Sequence, residues 1–283
     1  MQIIDSKSAL SAALEGYKNI GFVPTMGNLH AGHLHLVNLA TQHTDCVVVS
    51  IFVNPLQFGA NEDLANYPRT LEADLEKLKA AGVDFVFTPS VAELYSNFDG
   101  TNLSQTFTIA LPPIADALCG ASRPGHFAGV ATIVAKLFNI IKPQIAFFGK
   151  KDFQQLFIIR ELVKQFNYPI EIIAGETVRE TNGLALSSRN GYLSEPARAK
   201  ASQLNQALQG IVSNIKEGNL NFTDLEHQAS QQLTTMGWLV DYISIRSSDS
   251  LLPAKVNDNN LVILGAAKIE KTRLIDNIEF CAK

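Results

Sequence analysis

Phe22-Val23-Pro24-Thr25-Met26-Gly27-Asn28-Leu29-His30-Ala31-Gly32-His33 is the stretch whose reading decides the fold. An apolar strand, Ile20 to Val23, is broken by Pro24 and Gly27 and runs into a turn and a helix. His30 and His33 stand three apart. A helix starting near Leu29 or His30 puts both imidazoles on one face of its first turn. The free N–H groups and positive dipole end of that turn favour an anion. Gly32 removes a side chain where a nucleotide would lie against the backbone. Neutral imidazoles donate to phosphate oxygens, and their charge adjusts near pH 7. The chemistry suggested is attack on a nucleotide α-phosphate, with pyrophosphate leaving. A satisfied surface pair of histidines is the alternative, so the other segments have to decide.

Outward from this stretch the pattern alternates. Ser6 is a candidate N-cap for a helix through Leu10 and Leu14. Leu34, Val37 and Leu39 give the helix behind His33 an apolar side. Cys46 to Val53 is β-branched and nearly all apolar, as a central parallel strand covered on both faces should be. Pro68 to Ala81 reads as a helix with Leu71, Leu75 and Leu78 on one side and Glu72, Asp74, Glu76, Lys77 and Lys79 around the rest, most of that charge being a solvated face. Gly82 ends it, and Val83 to Phe87 is the next strand. The piece from Pro89 to Arg123 is irregular, an insertion or lid. Val130, Ile133, Val134, Leu137, Phe138 and Ile141 mark a long core helix stopped by Pro143. Ile145 to Phe148 and Ile170 to Ala174 are further strands. This order predicts an α/β fold, a Rossmann-like parallel sheet with right-handed crossovers.

After Tyr192 the character changes. Ser194-Glu195-Pro196 is a helix start with an early proline. Thr223-Asp224-Leu225-Glu226 fits a capping box, and Gly237 closes that helix. Trp238 to Ile245, Leu261 to Ala266 and a short stretch near Arg273 to Ile278 read as strands. The predicted boundary gives domain 1–175 and a smaller α+β domain, 176–283, that closes over the first on a hinge between Gly175 and Val178.

Length and composition narrow the class. The chain has 283 residues, 46% hydrophobic and 18% charged, with a net charge of −4. That argues against a general nucleic-acid surface and for a soluble protein with at most a local basic pocket. Cys46, Cys119 and Cys281 are scattered and odd in number, so reduced thiols and a cytoplasmic location are expected. Met1 to Asp5 lacks a basic region followed by an apolar run, and no segment reaches membrane-spanning length.

Two polar loops follow predicted strands, where open α/β sheets bind ligands, and a third polar segment comes later. Asn54 and Gln57 are placed to hydrogen-bond a small polar substrate, although Asn54 beside Pro55 is equally a turn residue. In Gly149-Lys150-Lys151-Asp152, Lys151 neutralises phosphate charge, Asp152 caps a helix or helps hold a metal–nucleotide, and Lys150 reads as a surface charge. Gln155 lies one turn on. Ser187-Ser188-Arg189 offers two hydroxyls and a guanidinium for triphosphate oxygens.

Taken together these segments resemble the pantothenate synthetase (pantoate–β-alanine ligase) family nearly end to end. The likeness rests on Pro24-Thr25-Met26-Gly27 with His30-x-Gly-His33, on Phe52 to Phe58, on Tyr67-Pro68-Arg69-Thr70, on Arg123-Pro124-Gly125-His126-Phe127, on Gly149-x-Lys151-Asp152 with Gln155, and on Ser187-Ser188-Arg189-Asn190. The first and last are similar to the two signatures of the nucleotidylyltransferase superfamily. The resemblance implies ATP and Mg²⁺, pantoate and β-alanine as small-molecule substrates, and a homodimer; no nucleic-acid or membrane partner is expected from the charge and the length of the apolar runs. It implies that pantoate attacks ATP to give pantoyl adenylate, which β-alanine then opens. Position by position, Met26, Gly27, Asn28, Leu29, His30, Ala31, Gly32 and His33 would line the ATP site with Gly149, Lys150, Lys151, Asp152, Val178, Leu186, Ser187, Ser188 and Arg189. His33 would be the proton donor, with His30 and Lys151 beside it on the phosphates. Gln57 and Gln155 would grip pantoate, and Gln57 would also meet β-alanine. Another nucleotidylyltransferase of the superfamily is the alternative.

The chain departs from the family pattern at Leu186, where Met is usual, at Lys150, where an acidic residue is usual, and at Ala128, where Arg is frequent. The first is an apolar swap of similar volume. The other two change local charge.

Overall fold

The computed structural model describes residues 1–59, 64, 65, 67–100, 103 and 107–282. These divide into two compact units, 1–150 with 155–176 and 151–154 with 177–283. In chain order the first carries β1 (Gln2–Ile4), α1 (Lys7–Ala13), β2 (Ile20–Thr25), α2 (Ala31–His43), β3 (Cys46–Ile51), α3 (Leu71–Ala80), β4 (Phe85–Phe87), the short helices α4 (Val91–Leu94) and α5 (Cys119–Ser122), α6 (His126–Ile141), β5 (Ile145–Gly149), most of α7 (Phe153–Gln165) and β6 (Glu171–Gly175). The expected irregular piece from Pro89 to Arg123 holds α4, α5 and a 3₁₀ turn, Pro113–Asp116; 101, 102 and 104–106 lie outside the described residues.

Among the described residues these strands form one parallel sheet in the order β1-β4-β3-β2-β5-β6. From β2 the chain steps outward through β3 to β4, then returns to the other side of β2 with β5 and β6. That is the doubly wound Rossmann order, and its switch point lies between β2 and β5. Alternate residues serve opposite faces. Phe22 and Val48 pack with Val130, Ile133, Val134, Leu137 and Phe138 of α6, while Val23, Val47 and Val49 pack with Leu36, Val37 and Ala40 of α2. Each such side chain contributes roughly 1.5–3 kcal/mol of burial. The buried side of α2 is therefore Leu36, Val37 and Ala40, with Leu34 and Leu39 only partly covered.

Two expectations about the strands need correction. Pro24 does not end β2; the ladder with β3 runs on through Thr25. Ile20 accepts from Gln144 on the β5 side, whereas Thr25 accepts from Phe52 on the β3 side. By alternation Pro24 faces β5, whose pairing stops at Phe22, so its missing N–H interrupts nothing. The edge strand β1 was not expected; three residues are too few to show a period.

In α3, Leu71 is exposed and Asp74 is fully buried with Leu78. The buried side of this helix is set by Asp74 and Leu78, one turn apart, so the solvated face expected for most of its charge does not include Asp74.

The second unit carries α8 (Glu195–Lys200), α9 (Gln203–Lys216), α10 (Phe222–Thr235), β7 (Leu239–Ser247), β8 (Asn260–Ile269) and β9 (Thr272–Cys281). The strands form an antiparallel sheet in the order β7-β8-β9. Leu204, Leu208 and Ile211 of α9 and Leu225 and Leu233 of α10 pack on Ile243, Ile245 and Ile263. Ser194 caps α8, its hydroxyl accepting from Ala197 N at 3.2 Å. The cap of α10 is Asn221 rather than Thr223. Glu226 is not part of a capping box: its Oε1 accepts the N–H of Ile245 at 2.6 Å. The last strand is ten residues long, not short. No helix among the described residues is long and apolar enough to cross a membrane.

Candidate active site

The turn after β2 brings His30 and His33 together at the switch point. His30 is the N-cap of α2 and His33 its third residue. Gly32 N–H donates to His30 Nδ1 at 3.1 Å, and His30 N–H donates to His33 Nδ1 at 3.3 Å. The ring centroids lie 4.2 Å apart. Because each Nδ1 accepts, each neutral ring carries its proton on Nε2. This changes the expected anion chemistry. The Gly32 amide is committed to an imidazole, so the Nε2–H groups are the stronger candidates for phosphate donors. The space beside Gly32 is likewise taken from within: an added Cβ would stand 2.9 Å from His30 Cε1.

The turn leading into His30 is held from outside. Gly27 and Asn28 have φ of +82° and +51°. Asn28 and Leu29 N–H both donate to the Asp74 carboxylate at 2.8 Å. Asp74 was not among the expected site residues; its place one turn from Leu78 was the available signal.

Gln57 sits in the 3₁₀ turn Pro55–Gln57, after β3, and is buried. Its Oε1 accepts from Asn54 Nδ2 at 3.1 Å, and its Nε2 donates to Met26 Sδ at 2.9 Å. Asn54 also donates to Gly129 O at 3.1 Å and accepts from the Tyr95 hydroxyl at 2.7 Å. Its side chain therefore fixes Gln57, and Tyr95 fixes Asn54. Burial raises the Tyr95 hydroxyl pKa well above its ordinary value, so it stays a donor. Arg123 donates to His126 Nε2 at 2.9 Å, which leaves Nδ1–H to donate to Gln57 O at 2.8 Å. This tautomer is opposite to that of His30 and His33.

After β5, the Lys150 ammonium is partly exposed and pairs with the exposed Glu176 carboxylate at 2.6 Å. Gln155 is partly buried on α7.

The other expected residues belong to the second unit. Lys151 Nζ is 4.0 Å from Asp152 Oδ2, and Lys151 O accepts from Asn277 Nδ2 at 2.9 Å. Leu186 N–H donates to Val178 O at 2.9 Å, setting these two opposite each other. Between them, Arg179 forms a two-pronged pair with buried Asp276 at 2.7 and 2.8 Å and also donates to Gly183 O. Ser187 Oγ accepts from Arg189 N, opening the 3₁₀ turn Ser188–Tyr192. Among the described residues, Asn190 Oδ1 is the buried side-chain atom without a hydrogen-bond partner. Asp276 and Asn277 were not expected; they lie about a hundred residues from the loops they hold, beyond the reach of local pattern.

Comparison with known proteins decides what this arrangement belongs to. The family model described as pantoate-beta-alanine ligase matches residues 2–279. The chain belongs to the pantoate–β-alanine ligase family. It is 64% identical over 280 residues to a pantothenate synthetase of Methylobacillus flagellatus, covering 99% of each chain. It is 54% identical over 280 residues to that of Thiobacillus denitrificans, covering 99% of this chain and 97% of the other. A crystal structure of the Thermus thermophilus pantothenate synthetase superposes with a TM-score of 0.91 at 41% identity, covering 98% of this chain and 99% of that one. A pantoate-beta-alanine ligase of Francisella tularensis, complexed with beta-gamma ATP and beta-alanine, superposes with a TM-score of 0.77 at 36% identity, covering 98% and 97%. The chain is thus an enzyme of this family, an ATP-dependent ligase of pantoate and β-alanine. The alternative of another nucleotidylyltransferase is not favoured.

Proposed function

We propose that the ligation proceeds by carboxylate adenylation. A pantoate carboxylate oxygen attacks the α-phosphorus of ATP, the bond to the β-phosphate oxygen breaks, and pyrophosphate leaves. The β-alanine amine attacks the acyl carbon of pantoyl adenylate. The bond to the AMP oxygen breaks, the amine gives up a proton, and pantothenate and AMP result. Such chemistry needs no covalent protein nucleophile. It needs charge stabilisation on phosphorus and alignment of two reactants.

In this reading the Nε2–H groups of His33 and His30 donate to phosphate oxygens, with His33 next to the departing charge. Met26 to His33, Gly149 to Asp152, Val178 and Leu186 to Arg189 contact ATP. Lys151 and Arg189 supply cationic charge. Gln57 and Gln155 hold pantoate by neutral amides that do not compete for the cations, and Gln57 also meets β-alanine. Among the described residues no group of three or more His, Cys, Asp or Glu converges as a metal cage. A magnesium ion entering with the nucleotide needs only one or two carboxylates from the protein. Asp152 is the candidate, and the ion would neutralise phosphate charge. The division into a binding domain, 1–175, and a lid, 176–283, belongs to the same proposal, as do a homodimer and a cytoplasmic location.

The observation that supports this reading most is the Gln57–Met26 contact of 2.9 Å, which sets the acid-binding amide against the first residue of the histidine segment. A nucleotidylyltransferase with another acceptor has no need of it. The test offers the purified protein ATP with pantoate and β-alanine, and separately ATP or CTP with phosphopantetheine-like acceptors. Pantothenate, AMP and pyrophosphate in equal amounts from the first mixture alone support the reading. Turnover of the second alone overturns it.

A further inference from the structure

Asp74 is a carboxylate with no exposed surface, placed on α3 far along the chain from the histidine turn. Burying such a group is costly unless every lone pair is met. Here it is met four times. Asn28 N–H and Leu29 N–H donate to Oδ2 and Oδ1 at 2.8 Å each. Thr70 Oγ1 donates to Oδ2 at 3.0 Å. The Lys77 ammonium lies 3.7 Å from Oδ1 and donates to Leu29 O at 2.7 Å. Both the N–H and the C=O of Leu29 are thus tied to α3.

The backbone is shaped for this. A turn that points successive backbone N–H groups the same way makes a nest for an anion. Gly27 and Asn28, both at positive φ, make such a turn, and the N–H groups of Asn28 and Leu29 converge on one carboxylate. The nest is filled from within, since a Cβ on Gly27 would meet Asp74 Oδ2 at 3.2 Å. Leu29 is followed at once by His30, whose backbone N–H fixes the proton position of His33 while the Gly32 N–H fixes that of His30.

We propose that Asp74, with Lys77, is a positioning residue for the His30–His33 pair. It acts through the Asn28–Leu29 peptide and does not touch substrate. This inference rests on the adenylation reading for its effect on rate, but not for its effect on the rings. An isosteric amide at position 74 can accept only one of the two backbone N–H groups and turns an NH₂ toward the other. The turn must shift, and the rings with it. Pantoate binding through Gln57 and Gln155 has no part in this.

The experiment compares wild type with Asp74→Asn and Lys77→Met. Steady-state pyrophosphate release gives kcat and the pantoate KM, and imidazole ¹⁵N NMR of the ligand-free proteins gives the tautomers of His30 and His33. In Asp74→Asn, kcat should fall by about tenfold or more while the pantoate KM stays within about twofold, as displacement of a catalytic group by a fraction of an ångström implies. The wild-type rings should show the Nε2–H pattern, and both variants should lose its uniformity. A folded Asp74→Asn protein with unmoved ring signals overturns the proposal, as does an unaltered kcat. If Asp74→Asn does not fold, Lys77→Met decides by the same two readouts, its side chain being partly exposed. A wild type that releases no pyrophosphate with pantoate faults the adenylation reading instead, and the ring signals still decide the positioning role.

Discussion

His33 accepts the backbone N–H of His30 on Nδ1 at 3.3 Å, with the two ring centroids 4.2 Å apart. Each ring is therefore locked by the backbone of its own turn and carries its proton on Nε2. A donor fixed before substrate arrives needs no reorganisation in the transition state.

Replacing His33 by Ala removes both the donor and the acceptor that holds His30 N–H. We expect kcat to fall by about a hundredfold or more, the scale of a lost charge-stabilising donor. Pyrophosphate release under saturating substrates measures it, and a near-normal rate would count against the role.

Gln57→Ala should act on one substrate. Its amide is held by Asn54 and Met26, and no cationic group is removed with it. The pantoate KM should rise by about tenfold, worth one or two hydrogen bonds, while the ATP KM stays near the wild-type value. Equal loss for both substrates would indicate a displaced turn rather than a lost contact.

Asp276→Ala should destabilise the second unit. The carboxylate is 5% exposed and meets Arg179 on both oxygens, with Asn205 Nδ2 at 3.0 Å from Oδ2. Removing it leaves a guanidinium and an amide without their acceptor, at a cost on the order of 3 kcal/mol. Urea unfolding followed by tryptophan fluorescence reads this unit, because Trp238 is buried in its core. An unshifted midpoint would refute the expectation.

Glu226 supplies a test in pH. Burial raises its carboxyl pKa, against smaller opposing effects from Ile245 N–H and Arg246. The folded state thus holds this proton more tightly than the unfolded chain. Its contribution to stability is fully present at low pH and is lost as pH rises through the raised value. Glu226→Gln keeps an acceptor for Ile245 and removes the charge. Its stability relative to wild type should therefore improve as pH rises above the unfolded carboxyl value, about 4. A difference independent of pH would contradict the assignment.

What can be read from the chain depends on whether the cause is local. The stripe from Val130 to Ile141 announces a buried helix because its period lies within one element, and all six apolar positions are covered. The histidine pair is legible for the same reason, its spacing and cap falling within four residues. Asp74 escapes such a reading because a charge weighed without its partners looks solvated, and the two backbone partners that call for its burial lie in a turn more than forty positions earlier. Pro24 escapes it because its cost depends on which neighbour its nitrogen faces. Glu226 fits a capping pattern but joins a strand nineteen residues on, since a buried amide of β7 competes for the same carboxylate.

The central claim is that pantoate oxygen attacks the α-phosphorus, and isotope transfer tests it most directly. With both carboxylate oxygens of pantoate labelled with ¹⁸O, one turnover should place one label in the phosphate of AMP and leave the other in the amide carbonyl. AMP without label, or label in inorganic phosphate, would contradict it.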